Sequence, residues 1–169
     1  MLGCPIEKRD EYKALFDEFI ATIRLPEEKT LLDDYPEVKE QAQRILSFLE
    51  SSSSTVIKLS VTEITQNQER MAVNFKTEKG TTGFISFDKS TYELVAVSVT
   101  NQEDQSKEYI AFMVNSLYLK DFGLSQKTID KMLDIYNTEE YLIEEEGVKF
   151  SWVDIPEKMF MVQRAETGK

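Results

Sequence analysis

A chain of 169 residues, 41% hydrophobic and 30% charged, is long enough to bury a sizeable core in one domain or two small ones. It has no histidine and one cysteine, Cys4, which excludes Ser-His-Asp and Cys-His nucleophile systems, histidine metal sites, an internal disulfide and cysteine zinc clusters. The net charge of −11 is spread along the chain and opposes the clustered Lys and Arg that a phosphate backbone needs, so no nucleic-acid partner is expected.

An acidic surface ordinarily serves solubility, and its other use would be attraction of a basic protein partner. No stretch approaches 18 consecutive apolar residues, so no transmembrane segment is expected. Met1-Leu2-Gly3-Cys4 resembles the end of a bacterial lipoprotein signal, in which a small residue precedes the cysteine that is lipidated. The expected address is therefore extracytoplasmic, with a lipid anchor at Cys4, if a signal segment precedes Met1. Otherwise it is cytoplasmic.

Residues 8–24 carry Tyr12, Leu15, Phe16, Phe19, Ile20 and Ile23 at helical spacing, with charges on the other side, and Pro26 ends the run. A second helix is predicted from Pro36, with Asp33, Asp34 and Glu37 near its positive end. Val38, Ala42, Ile45, Leu46 and Leu49 form its apolar face, and the serine run 51–54 stops it.

Four strands follow between Thr55 and Thr100. Alternation around Ile57-Leu59-Val61, Met71-Val73-Phe75, Phe84-Ile85-Phe87 and Tyr92–Val99 is broken by turns at Asn67-Gln68, Lys79-Gly80 and Asp88–Thr91. In the last strand Val95, Val97 and Val99 are placed on one face, and Leu94 and Ala96 on the other. A helix over 106–119 is expected to bury Tyr109, Ile110, Met113, Val114, Leu117 and Tyr118. Asp121-Phe122-Gly123 lacks any accompanying kinase motif and reads as a helix end.

Ser125 begins a further helix with Ile129, Met132, Leu133 and Tyr136. Three strands close the chain at Tyr141–Glu145, Val148–Val153 and Lys158–Arg164. The fold class is α+β: an antiparallel sheet, made of a four-stranded meander and a C-terminal strand cluster, covered on one face by helices. The chain is read as one compact domain over 1–169, or as two related helix-plus-sheet units of about 36–104 and 105–169 behind the helix 8–24. The basis for the second reading is an offset of 75 positions. It relates Val73-Asn74-Phe75 to Val148-Lys149-Phe150, and Phe84-Ile85-Phe87 to the strand at Met159, Phe160 and Val162.

The order helix, strand, strand and a strand pair split by an acidic turn resembles a PepSY-like domain over about residues 36–100. The turn Phe87-Asp88-Lys89-Ser90-Thr91-Tyr92-Glu93-Leu94 follows that outline, with Tyr92 where the family usually has glycine. Residues Val162 to Lys169 echo it more loosely. The resemblance implies a secreted or lipid-anchored bacterial protein, with an inhibitory or binding role toward peptidases or envelope components.

The remaining acidic groups give no strong chemistry. Asp130 and Asp134 lie one turn apart near Glu139 and Glu140, without EF-hand spacing. Glu144, Glu145 and Glu146 form a hairpin charge run that discourages edge pairing. Together with Trp152, which is a core residue by default, they are the candidates for an interaction surface. No catalytic residue, metal ligand or cofactor is expected. The leading function is a non-catalytic binding or inhibitory domain acting on a protein partner. The alternative is a cytoplasmic acidic antagonist or immunity-type protein occupying a basic site, and the third reading is a carboxylate-only hydrolase.

Overall fold

A computed structural model of the chain describes residues 13, 29–51, 58–101, 107–135, 141–154 and 158–165. The chain divides into two compact units, Met1–Thr30 and Leu31–Lys169. In the first, Lys13 is helical and exposed; the rest of the predicted helix 8–24, and Cys4, lie outside the described residues.

The second unit opens with a 3-10 turn, Leu31–Asp34, and helix α1, Pro36–Glu50. Proline stands in the first turn of α1, where its missing N–H costs nothing, and all five predicted apolar residues are buried. Seven strands follow, interrupted by two further helices. They are β1 (Leu59–Gln66), β2 (Arg70–Thr77), β3 (Thr82–Asp88), β4 (Leu94–Asn101), α2 (Lys107–Leu117), α3 (Gln126–Ile135), β5 (Leu142–Glu145), β6 (Val148–Asp154) and β7 (Lys158–Arg164). The strands form one antiparallel sheet in the order β1-β2-β3-β4-β7-β6-β5.

One face of the sheet meets all three helices. Val73 and Phe75, Ile85 and Phe87, Val97 and Val99, Phe160 and Val162, and Phe150 and Trp152 belong to a single core cluster with α1, Tyr109, Phe112, Met113, Ile129 and Met132. Tyr109 meets Phe160 edge-on at 5.3 Å between ring centres, and Phe112 lies 6.3 Å from Phe75. These two contacts set the rotation of α2. Phe112 is buried, whereas Ile110 and Tyr118, predicted to be core, are 38% and 42% exposed.

Two irregularities shift the strand phase. A register shift between Val61 and Glu63 lets Ile64 face the core after Leu59 and Val61. In the β3·β4 pair Phe87 opposes Leu94 and Ser86 opposes Ala96, so Val95 is the extra residue. Leu94 therefore shares the core face with Val97 and Val99, and Val95 does not.

The strand order joins two meanders through the antiparallel β4·β7 pair, centred near Ser98 and Met161. A half-turn normal to the sheet at that point exchanges β4 with β7, β3 with β6 and β2 with β5. The 75-residue offset instead equates β2 with β6 and β3 with β7. Those partners run in the same direction and show the same face to the helices, but progress toward the centre from opposite flanks. Only a reflection relates them, and a rotation cannot supply one. That offset reflects the shared period of two half-buried strands and not superposable copies.

Candidate functional site

The face of the sheet turned away from the helices carries the complementary residues of each strand. Cross-strand registers place Asn74, Phe84, Ser98, Met161, Ser151 and Leu142 in one row across six strands. A parallel row runs Lys76, Thr82, Thr100, Met159 and Val153. The buried residues of α1, α2 and α3 cluster with the opposite face. Ser86, Ala96 and Ser98 are buried, and the Ser98 hydroxyl donates to the Phe160 carbonyl at 3.0 Å. Around them Phe84, Met159 and Met161 are half-buried, Val153 is 44% exposed and Leu142 is 58% exposed. The result is an apolar band with few charges, bordered by Lys76 on one flank and Glu144 on the other.

Trp152 is not part of this surface. Its pairing with Phe160 turns it to the helix side, where it is buried against Phe150 at 5.7 Å and screened by Tyr141 at 6.0 Å. The outward positions beside it belong to Val153 and Leu142. An alternation count from Phe150 identifies Val153 as outward-facing, but nothing in the sequence shows that α1, α2 and α3 all pack on the opposite face.

The glutamate run is an anchor. Glu146 adopts a left-handed φ of 51°, so that its carboxylate accepts from the Ser125 backbone N–H at 2.8 Å and the Ser125 hydroxyl at 2.6 Å. Hydrogen bonds from Ser125 hold the Glu146 carboxyl below its ordinary pKa. The pair sits at the start of α3, where unpaired N–H groups favour an anion. Glu145 pairs with Lys131 on the same helix, and Glu144 lies 3.5 Å from Lys149 on the neighbouring strand. All three charges therefore have intramolecular partners, and two of them tie the β5–β6 hairpin to α3.

Two of the other acidic candidates are also locally engaged. Asp33 pairs with Lys39 at 2.5 Å across the start of α1, and Asp130 accepts from Gln126 at 2.7 Å within α3. Glu139 and Glu140 lie outside the described residues. Among the described residues no group of three His, Cys, Asp or Glu side chains is placed to hold a metal ion. An open cavity of about 320 Å³ between α2 and α3 is lined by Leu117, Tyr118, Leu124 and Ile129, among others, and the Tyr118 hydroxyl accepts from Gln126 there.

The β3–β4 turn is tightly built. One Asp88 oxygen accepts from the Ser90 N–H at 2.8 Å, the Ser90 hydroxyl at 2.6 Å and the Thr91 N–H at 3.1 Å. Those bonds, led by the Ser90 hydroxyl, lower the Asp88 pKa from 3.8 to about 2. Tyr92 takes φ 58°, a left-handed conformation unusual for a side chain of its size. No helix among the described residues is long and apolar enough to cross a membrane. No family model matches the chain, and no significant match was found among curated proteins or solved structures.

Proposed function

We propose that the Leu31–Lys169 unit is a non-catalytic binding domain that meets a protein partner through the outer face of its sheet. The observation that carries this reading is the band of Phe84, Met159, Met161, Val153 and Leu142, set among small polar residues on the face opposite α1, α2 and α3. Apolar surface of this kind gains free energy when a partner removes it from water. The PepSY-like outline and the Cys4 tetrapeptide support placing the domain outside the cytoplasm on a lipid anchor.

A photo-crosslinking residue at position 161, used in the native host, tests the surface. A discrete adduct that disappears when Phe84→Lys is added, with the fold intact by circular dichroism, is expected. Labelling that is diffuse, or indifferent to Phe84→Lys, would remove the reading. The address is tested by fractionating cells that express the chain from its natural gene. Membrane association should be lost in Cys4→Ser, and association unchanged by that substitution excludes the anchor.

The net charge of −11 favours one second reading, an acidic antagonist of a basic site. Such a complex would weaken steeply with salt, whereas one held by the apolar band would persist.

A further inference from the structure

Five of the six strand pairings join strands that are consecutive in sequence. The sixth, β4·β7, joins Ala96 to Gln163, so it closes by far the longest loop in the sheet. Among the described strands it is the one pairing that joins the two meanders. At the end of this seam where β4 begins and β7 finishes, four segments are tied by side chains. Arg164 donates from Nε to the Leu94 carbonyl at 2.9 Å and from Nη2 to the Asp121 carbonyl at 2.7 Å. Asp121 Oδ1 in turn accepts from Arg44 at 2.6 Å and Gln41 at 3.0 Å, both on α1.

The Asp121 side chain is only 12% exposed, and its Oδ2 is buried without a hydrogen bond among the described residues. Burial acts to raise its pKa, but the hydrogen bonds from Arg44 and Gln41 outweigh that and hold the carboxyl below its ordinary value. A carboxylate kept charged in so closed a place binds its donors strongly and is costly to leave unpaired. Through it, α1 from the first half of the unit grips the α2–α3 corner from the second, while Arg164 fixes the same corner to both strands of the seam.

We propose that Asp121 and Arg164 form a clasp that governs opening of the β4·β7 seam, so that the sheet parts there before it unfolds as a whole. Cooperative units that open below the global free energy commonly coincide with supersecondary motifs, and the two meanders are such motifs.

Hydrogen exchange of the full chain in low denaturant tests this. Amides bonded across β4·β7 should exchange roughly tenfold or more faster than those across β2·β3. Asp121→Ala should accelerate the seam amides by about a further tenfold and leave β2·β3 at the wild-type rate. Arg164→Gln should do the same, and it carries the test alone if Asp121→Ala fails to fold. A single common exchange rate for the seam and β2·β3 in the wild type would overturn the proposal. So would variants that accelerate every strand equally.

Discussion

The two faces of the sheet use the same seven strands and differ in what each asks of its side chains. Toward the helices stand Phe75, Phe87, Phe150 and Phe160, each essentially without exposure, interlocked with Tyr109 and Phe112. Toward the outside, the middle strands carry Ser86, Ala96 and Ser98, and larger apolar groups appear around them at partial exposure. A close-packed interior penalises any change of volume, whereas a partly exposed side chain has fewer neighbours to lose. The larger share of the stability contributed by side-chain packing is therefore expected on the helix-facing side.

The sharpest way to break this comparison is to truncate a ring on the helix side. Phe160→Ala should cost about 3–5 kcal/mol by urea denaturation, because the ring is fully buried and the cavity beneath Tyr109 can collapse only in part. A cost under about 1 kcal/mol would show that the helices do not press on the sheet as described.

Gly83→Ala comes next, on the same face. A Cβ there would lie 2.5 Å from the Phe75 ring and 2.5 Å from the Ser98 carbonyl, so about 1–3 kcal/mol of destabilisation is expected. Combining it with Phe75→Leu should recover part of the loss.

Acid titration probes the turn that links the two strands carrying Phe87 and Leu94. The Asp88 pKa is lower in the folded chain than its ordinary 3.8, so its contribution is complete above that value. It is lost as the pH falls toward about 2. Asp88→Asn should be less stable than wild type at neutral pH, with the difference narrowing over that window.

Leu142→Ser, on the outer face, should change stability by less than about 0.5 kcal/mol, since the side chain is 58% exposed. The same substitution should weaken partner capture if the outer face is the binding surface. A large loss of stability would instead show that Leu142 serves the fold.

Much of this architecture is legible in the chain itself. Five apolar residues of α1 and the three C-terminal strands follow from spacing alone, because period and turn chemistry are local properties. The misplaced residues mark where tertiary contact decides. Val95 looks like one more member of a valine alternation until pairing with β3 makes it the extra residue. Ile110 and Tyr118 fit a helical stripe as well as Phe112 does, and only Phe75 on a distant strand selects among them.

Glu146 reads as one charge in a run, since its partner Ser125 lies 21 positions earlier. The outer face was the least visible feature. Phe84 belongs to an apolar run with Ile85 and Phe87, and its outward direction emerges only with the register.

The position of β7 between β4 and β6 has a consequence for biosynthesis. A nascent chain that has emerged through residue 154 already contains every other described strand of the sheet, yet it presents β4 and β6 as two unfilled edges. Both edges wait for the same seven residues, Lys158–Arg164, and until these clear the ribosome they can recruit strands from neighbouring polypeptides. Messages ending before that segment should yield aggregates and not shortened soluble domains. A domain fused directly after β7, by contrast, needs a spacer long enough for β7 to reach the middle of the sheet unhindered.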